Sequence, residues 1–245
     1  MVKLLVNKED REFLKSRWDE INRKITKASS GRSVKLLAAT KTVSVETINF
    51  AIDHLGLRLI GENRVQELLS KYDALHKDDL KIHFIGRLQT NKVKYIVDKV
   101  DMIESVDSIK LAEEISRRAE KIGRVMDILV EINIGREESK GGILPENLND
   151  FMEAIDLLQG IRFAGLMVIP PKTEDVCQSE KYFLESYQIF LDIQQKKSHN
   201  IGKPLILSMG MSDSYEEAIR CGSDEVRIGS ALFGRRIYPK SDTIV

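Results

Sequence analysis

A lysine at the end of an apolar run is the first residue whose position suggests chemistry. Lys41 follows the run at 34–40, which is typical of a buried strand, and Ser44 begins a helical pattern. Folds of the α/β class keep reactive groups at the carboxyl ends of strands, and lysine forms Schiff bases with carbonyl compounds. A solvated lysine just past a strand has the same local pattern, so the other strand ends must decide between the two interpretations.

Glycine and serine residues after the last two predicted strands form a second suggestive pattern. Ser208, Gly210 and Ser212 precede a helical pattern that begins at 214, and Gly229 and Ser230 precede the apolar stretch 231–233. Backbone N–H groups at helix starts bind phosphate, and barrel enzymes often use the loops after strands 7 and 8 for this purpose. The pattern predicts a phosphate site, with two ordinary turns as the alternative.

Polar residues also lie in or just after other predicted strands. They include Glu62, Asn63, His83, the pair at 104–105 and Arg227. In a barrel these positions would converge on the face formed by the carboxyl ends of the strands. Each has a simpler interpretation, with His83 as a hydrogen-bonded core residue, Asn63 as a helix cap and Glu62 as a surface charge.

Alternating strand and helix patterns define the elements that would position these residues. The predicted strands are 35–40, 57–61, 81–86, 102–105, 126–134, 161–169, 204–208 and 224–228. The predicted helices between them are 45–54, 63–72, 91–99, 108–121, 146–158, 175–197 and 214–221. Ser44 is a predicted N-cap, and Ser214 with Glu217 has capping-box spacing. The alternation predicts a single α/β domain, a (β/α)8 barrel of the TIM type, with a doubly wound sheet as the alternative.

An extra helix is predicted over 8–29, before the first strand, and the barrel over about 34–236 of the 245 residues. Its apolar stripe comprises Phe13, Leu14, Trp18, Ile21 and Ile25, which are spaced by threes and fours. The chain shows neither an internal repeat nor a linker that would divide it. We therefore predict one domain over residues 1–245.

The composition of the chain argues against several kinds of binding partner. With 38 basic and 38 acidic residues the formal net charge is zero, which argues against nucleic acid as a partner. No apolar run approaches the roughly 18 residues that a membrane span needs. Cys177 and Cys221 are far apart, and with His54, His76 and His199 they show no metal-ligand spacing. The composition predicts a cytoplasmic protein with free thiols and without a metal or membrane partner.

Six segments in register resemble the pyridoxal-phosphate homeostasis proteins, a family that looks like the barrel domain of alanine racemase standing alone. The segments are AATK at 38–41, GENRVQE at 61–67, HFIGRLQTNK at 83–92, GLM at 165–167, SMGMSD at 208–213 and RIGSALFG at 227–234. The resemblance implies a (β/α)8 barrel that carries pyridoxal 5′-phosphate.

The resemblance also implies a role for individual residues. Lys41 would be the Schiff-base lysine, and Arg227 would face the pyridine nitrogen of the cofactor. Ser208, Ser212, Gly229 and Ser230 match the phosphate-binding segments, with Ser230 where the family often has threonine. Asn63, His83 and Met209 match positions close to the cofactor ring.

An arginine at the ring nitrogen favours binding of the cofactor without catalysis. Guanidinium stays protonated, so it donates a hydrogen bond and keeps the ring nitrogen unprotonated, which makes the ring a poorer electron sink. Racemisation needs acid–base groups on both faces of the substrate carbon. Alanine racemase takes one of them, a tyrosine, from a second domain. This sequence ends at Val245, soon after the barrel, and only Tyr215 and Tyr238 lie near the cofactor segments.

The resemblance therefore implies intracellular pyridoxal phosphate homeostasis. The expected roles are binding, buffering and delivery to pyridoxal-phosphate-dependent apoenzymes by a monomer, with little or no turnover. Two alternatives stay open. One is an amino-acid racemase of the alanine racemase type. The other is a Schiff-base aldolase that uses the same lysine and phosphate loops without a cofactor.

Overall fold

Eight parallel strands close into a barrel in the order in which they occur along the chain. The computed structural model describes residues 7–173, 175–197 and 204–234. The strands are β1 (Lys35–Ala39), β2 (Leu59–Glu62), β3 (Lys81–Phe84), β4 (Met102–Val106), β5 (Met126–Ile132), β6 (Ile161–Val168), β7 (Ile206–Met211) and β8 (Glu225–Ile228). The predicted (β/α)8 barrel is confirmed, and the doubly wound sheet is wrong.

Helices connect the strands on the outside of the barrel. They are α1 (Lys8–Ser29), α2 (Val45–Leu55), α3 (Val65–Tyr72), α4 (Ile109–Lys121), α5 (Leu148–Asp156), α6 (Val176–Lys197), α7 (Tyr215–Arg220) and α8 (Ser230–Phe233). Two segments, Thr90–Tyr95 and Pro145–Asn147, are 3-10 helices. The α-helix predicted over 91–99 is therefore wrong. Its buried Val93 and Ile96 are three residues apart, a spacing that the tighter 3-10 turn also satisfies.

The extra N-terminal helix is confirmed. α1 packs against α7 and α8 on the outside of the barrel through Leu14, Ile21 and Ile25, which are buried. Trp18 is partly buried against the same core, but Phe13 is 46% exposed, so its place in the predicted stripe is wrong. In the part of the chain that the structure describes, no helix is long and apolar enough to cross a membrane. His199, Tyr238 and the predicted barrel end at 235–236 lie outside the described residues.

Two helix N-caps were predicted from the sequence, and the structure contains one of them. Ser44 Oγ accepts a hydrogen bond from the Thr47 N–H, so the predicted N-cap of α2 is confirmed. The capping box at Ser214 is wrong, because Ser214 makes no side-chain bond to the start of α7. Its Oγ instead accepts the Met211 N–H at 3.3 Å. The hydroxyl therefore bonds a donor three residues before it in the chain instead of one in the first turn of α7.

Strand alternation divides the side chains between two layers. The large layer lies between the strands and the helices. Inside the barrel, Leu37, Ala39 and Ile85 form one apolar cluster, and Met102, Leu129 and Met167 form another. The polar interior residues His83, Glu104, Ser208, Glu225 and Arg227 are buried with them. The barrel interior therefore contains several charged side chains, and these side chains form the floor of the site.

Gly165 is expected to be intolerant of a side chain. It lies in β6 at φ 141°, and a Cβ there would be 1.9 Å from the carbonyl oxygen of Ile206 in β7. We expect Gly165→Ala to lower the free energy of unfolding by about 3 kcal/mol or more, because the strand pair must separate. Gly123 at φ 68° has open space around it, so Gly123→Ala should cost only about 1 kcal/mol. Urea unfolding of both variants checks this, and equal losses would contradict the close packing.

Candidate cofactor site

Lys41 lies at the mouth formed by the carboxyl ends of the strands. β1 ends at Ala39, Thr40 is buried, and Lys41 follows half-buried. Leu37 and Ala39 face the barrel interior, and Lys41 continues their alternation. The lysine is therefore on the interior side of the strand end, as expected for a group that reacts at the mouth of the barrel.

Arg227 is buried inside the barrel on β8, the strand that pairs with β1. Its Nη1 donates to the carbonyl oxygen and to Oγ of Ser208, both at 2.7 Å, and its Nη2 donates to the Val168 carbonyl oxygen at 2.8 Å. A guanidinium has five N–H donors. Two of them have no hydrogen bond within the described residues, so Arg227 is fixed in place and can still bind a ligand acceptor.

Two buried glutamates lie close to Ser208, the residue to which Arg227 donates. His83 Nδ1 is 2.6 Å from Glu104 Oε1, and Ser208 Oγ lies 2.9 Å from Glu104 Oε2 and 3.0 Å from Glu225 Oε1. Glu104 and Glu225 are both fully buried, and Glu225 Oε2 has no hydrogen-bond partner within the described residues. The sequence analysis missed the role of both glutamates. The available signal was a glutamate at a position of an apolar strand whose side chain, by strand alternation, points into the barrel.

The charges of this cluster follow from its burial. Burial, reinforced by the nearby charge of Glu104, raises the pKa of Glu225 to about 8. Burial alone would raise the pKa of Glu104, but the hydrogen bond and charge of His83 lower it overall. Burial opposes the charged form of His83, yet the hydrogen bond and charge of Glu104 raise its pKa. At neutral pH a pKa of about 8 keeps most of Glu225 protonated, while the lowered pKa of Glu104 favours its carboxylate and the raised pKa of His83 favours its imidazolium.

The same three side chains have the composition of a metal site. One ligand atom from each of His83, Glu104 and Glu225 lies within 4.8 Å of the others. His83 Nδ1, the ring nitrogen that faces the carboxylates, is already engaged with Glu104 Oε1 at 2.6 Å. Arg227 and His83 already supply positive charge to the carboxylates. The cluster is held together by hydrogen bonds and by the His83–Glu104 ion pair, and the absence of a metal stays a prediction.

The two loops predicted to bind phosphate lie together. Ser212 Oγ accepts the N–H groups of Gly229 and Ala231, each at 3.2 Å. Gly229 lies beside the end of β1, where a Cβ would be 3.3 Å from the Ala39 carbonyl oxygen, and Ser230 is exposed. These backbone donors therefore point to one place near Lys41, and a side-chain hydroxyl oxygen now occupies it.

The remaining predicted residues are distributed differently. Ser208 is buried in the Arg227 cluster, away from the loop hydroxyl of Ser212. Met209 is fully buried between the strands and the helices, and its carbonyl oxygen accepts a bond from Ser223. Asn63 follows β2, and within the described residues its buried Oδ1 has no hydrogen-bond partner.

Two of the simpler interpretations are wrong. Glu62 is 1% exposed and bonds Lys71 and Thr40, so it is not a surface charge. Asn63 is not the cap of α3, because Arg64 occupies that position and no side chain caps the helix.

Comparison with known proteins agrees with this geometry. The family model described as alanine racemase, N-terminal domain, matches residues 10–237. A pyridoxal phosphate homeostasis protein of Aquifex aeolicus is 46% identical over 90% of this chain and 95% of that protein. A protein of the same name from Pasteurella multocida is 38% identical over 85% of this chain and 89% of its own length.

A solved structure is also similar. PipY of Synechococcus elongatus with pyridoxal phosphate bound is 30% identical to this chain, with a TM-score of 0.79. The match covers 90% of this chain and all of that one.

Proposed function

The chain belongs to the family of pyridoxal phosphate homeostasis proteins, which has the alanine racemase N-terminal domain, and we propose that it binds pyridoxal 5′-phosphate and acts in the homeostasis of this cofactor. The observation that supports this most directly is Lys41 at the end of β1, beside the strand that carries the buried Arg227. The bound cofactor in the similar PipY structure supports the same conclusion.

The residues present fit the polar groups of the cofactor. Lys41 provides an amine at the barrel mouth, and Arg227 provides two N–H donors not used within the described residues. Gly229 and Ala231 provide backbone donors that would suit a phosphate oxygen in place of Ser212 Oγ. The buried Asn63 Oδ1 has no donor within the described residues, and the 3-hydroxyl of the cofactor ring is the group that could donate to it.

The charge of Arg227 favours binding of the cofactor over catalytic turnover of a substrate. Pyridoxal phosphate supplies an aldehyde that condenses with amines and a ring that can accept electrons. Arg227 stays protonated, so it can only donate to the ring nitrogen and withholds the proton that would make the ring a strong electron sink. Lys41 forms the Schiff base in this proposal. Binding and buffering, with little or no turnover, are the result.

Amino-acid racemisation remains the alternative, because the family shares the alanine racemase domain. Lys41 would move a proton on one face of the substrate carbon, and a second group would be needed on the other. Tyr215 is only 5% exposed, and burial raises the pKa of its phenol. It is therefore a poor candidate for the second face.

Four further properties belong to the same proposal. We propose a single-domain monomer that works in the cytoplasm and passes the cofactor to pyridoxal-phosphate-dependent apoenzymes. Its zero net charge supports a small-molecule partner over nucleic acid.

An absorbance spectrum with borohydride reduction and peptide mapping tests the proposal. We expect added pyridoxal phosphate to give a visible Schiff-base band that survives dialysis, and reduction to fix one label per chain on Lys41. A chain that binds no cofactor would contradict it, and labelling of Lys41 by a phosphosugar instead would favour the aldolase. Chiral analysis of alanine after long incubation separates a carrier from a racemase, since a carrier leaves the enantiomer ratio unchanged.

A further inference from the structure

A buried ion cluster lies behind Lys41, on the helix side of β1. Lys71 of α3 donates to the Thr40 carbonyl oxygen at 2.9 Å, to Glu62 Oε1 at 2.9 Å and to Glu67 Oε1 at 2.7 Å. The hydroxyl of Thr40 donates to the same Glu62 oxygen at 2.8 Å. The residue before Lys41 is therefore held through both its main chain and its side chain.

The residue after Lys41 is held by the same cluster. The Thr42 N–H donates to Glu67 Oε1, the oxygen that also accepts from Lys71. Thr42 has a φ of 64°, in the left-handed region that β-branched residues rarely adopt. Such a conformation persists only where surrounding contacts determine it. Glu67 provides one of those contacts.

We propose that Glu62, Glu67 and Lys71 form a clamp that positions Lys41 for reaction with the cofactor aldehyde. The inference rests on the proposed function. Thr40 faces the clamp, and Lys41, one residue on, faces the opposite side of the strand end. Because the backbone is held on both sides of Lys41, the direction of its Cα–Cβ bond is fixed as well. The clamp residues act through Thr40 and Thr42, so they are positioning residues.

The clamp also determines which lysine reacts. A lysine ammonium has three donors, and all three of those of Lys71 are engaged within the clamp. An amine held in this way presents no lone pair to an aldehyde. Lys71 therefore stays an ion-pair partner although it lies next to the residue before Lys41.

Two substitutions of Glu67 test the clamp. Glu67→Gln keeps a side-chain oxygen for the Thr42 N–H, whereas Glu67→Leu removes it. Lys71 keeps its ion pair with Glu62 at 2.9 Å in both variants, so neither change leaves the buried ammonium unpaired. Glu114→Leu is the matched control, because Glu114 pairs with Arg118 at the same helical spacing and is 19% exposed, away from Lys41.

The first readout uses the cofactor-free protein. We expect Glu67→Leu to speed hydrogen exchange at the Thr42 amide by about ten-fold or more, because that amide loses its acceptor. Glu67→Gln should retain most of the protection. Glu114→Leu should leave this amide unchanged.

The second readout is the rate at which added pyridoxal phosphate becomes trapped on Lys41 by borohydride. We expect a loss of about ten-fold or more for Glu67→Leu, and a rate within about three-fold of the wild type for Glu67→Gln. If the wild type is labelled at Lys41 but Glu67→Leu behaves like Glu114→Leu in both readouts, the clamp is overturned and the proposed function stands. If the wild type gives no label on Lys41, both are overturned. A label on Lys71 of the wild type would overturn the exclusion of that lysine.

Discussion

Replacement of Lys41 by alanine is expected to abolish covalent attachment of pyridoxal phosphate. The visible Schiff-base band should vanish, because the amine at the barrel mouth is gone. Arg227 and the donors of Gly229 and Ala231 remain, so noncovalent binding should persist with an affinity about 100-fold lower, or about 3 kcal/mol. Absorbance, followed by equilibrium dialysis of the cofactor, measures the two effects separately.

Lys92→Ala is the matched control for this prediction. Lys92 is also a half-buried lysine that follows a barrel strand, but it lies in the 3-10 segment Thr90–Tyr95. The band and its borohydride label should be unchanged in this variant. An undiminished label on another lysine of the Lys41→Ala protein would contradict the role assigned to Lys41. Lys41 is only half-buried, so the melting temperature of Lys41→Ala should stay within about 3 °C of the wild type.

The barrel and the place of Lys41 could be predicted because their signals are local. Apolar runs and the Ser44 cap each act over a few residues, and each recurs in the structure. The predicted strand ends differ from the observed ones by no more than three residues. The capping box at Ser214 is wrong although its contact is also local, because the Ser214 hydroxyl bonds the Met211 N–H on its N-terminal side instead of an N–H of α7.

The charged interior could not be predicted because its contacts join distant parts of the chain. His83 and Glu104 are 21 positions apart, and Ser208 reaches Glu104 across 104 positions. Only closure of the barrel brings them together. The surface-charge alternative for Glu62 is wrong for a related reason, since its partner Lys71 lies on the next helix. A charge at a strand end carries no information about the side on which its partner will lie.

Glu225→Gln is expected to remove a loss of stability at high pH. Glu225 has a pKa of about 8 in the folded protein and an ordinary value of 4.5. Between these values the folded state holds one more proton than the unfolded chain, so the free energy of unfolding falls as pH rises. The stabilisation is complete below about pH 4.5 and lost through pH 8, a difference of up to about 5 kcal/mol. Glutamine resembles the protonated carboxyl and does not titrate.

Urea unfolding at about pH 5 and about pH 9 measures the expected change. The variant should match the wild type within about 1 kcal/mol at the lower pH and exceed it by several kcal/mol at the higher one. His83 also has a raised pKa and weakens the folded state in the same direction, and the Glu225 charge is one of the causes of that shift, so the comparison measures Glu225 together with its effect on His83. Glu146→Gln, at a side chain that is 54% exposed, controls for the chemical change alone. Parallel pH profiles of the wild type and Glu225→Gln would mean that Glu225 is ionised beside Glu104, which would contradict the neutral state assigned to it.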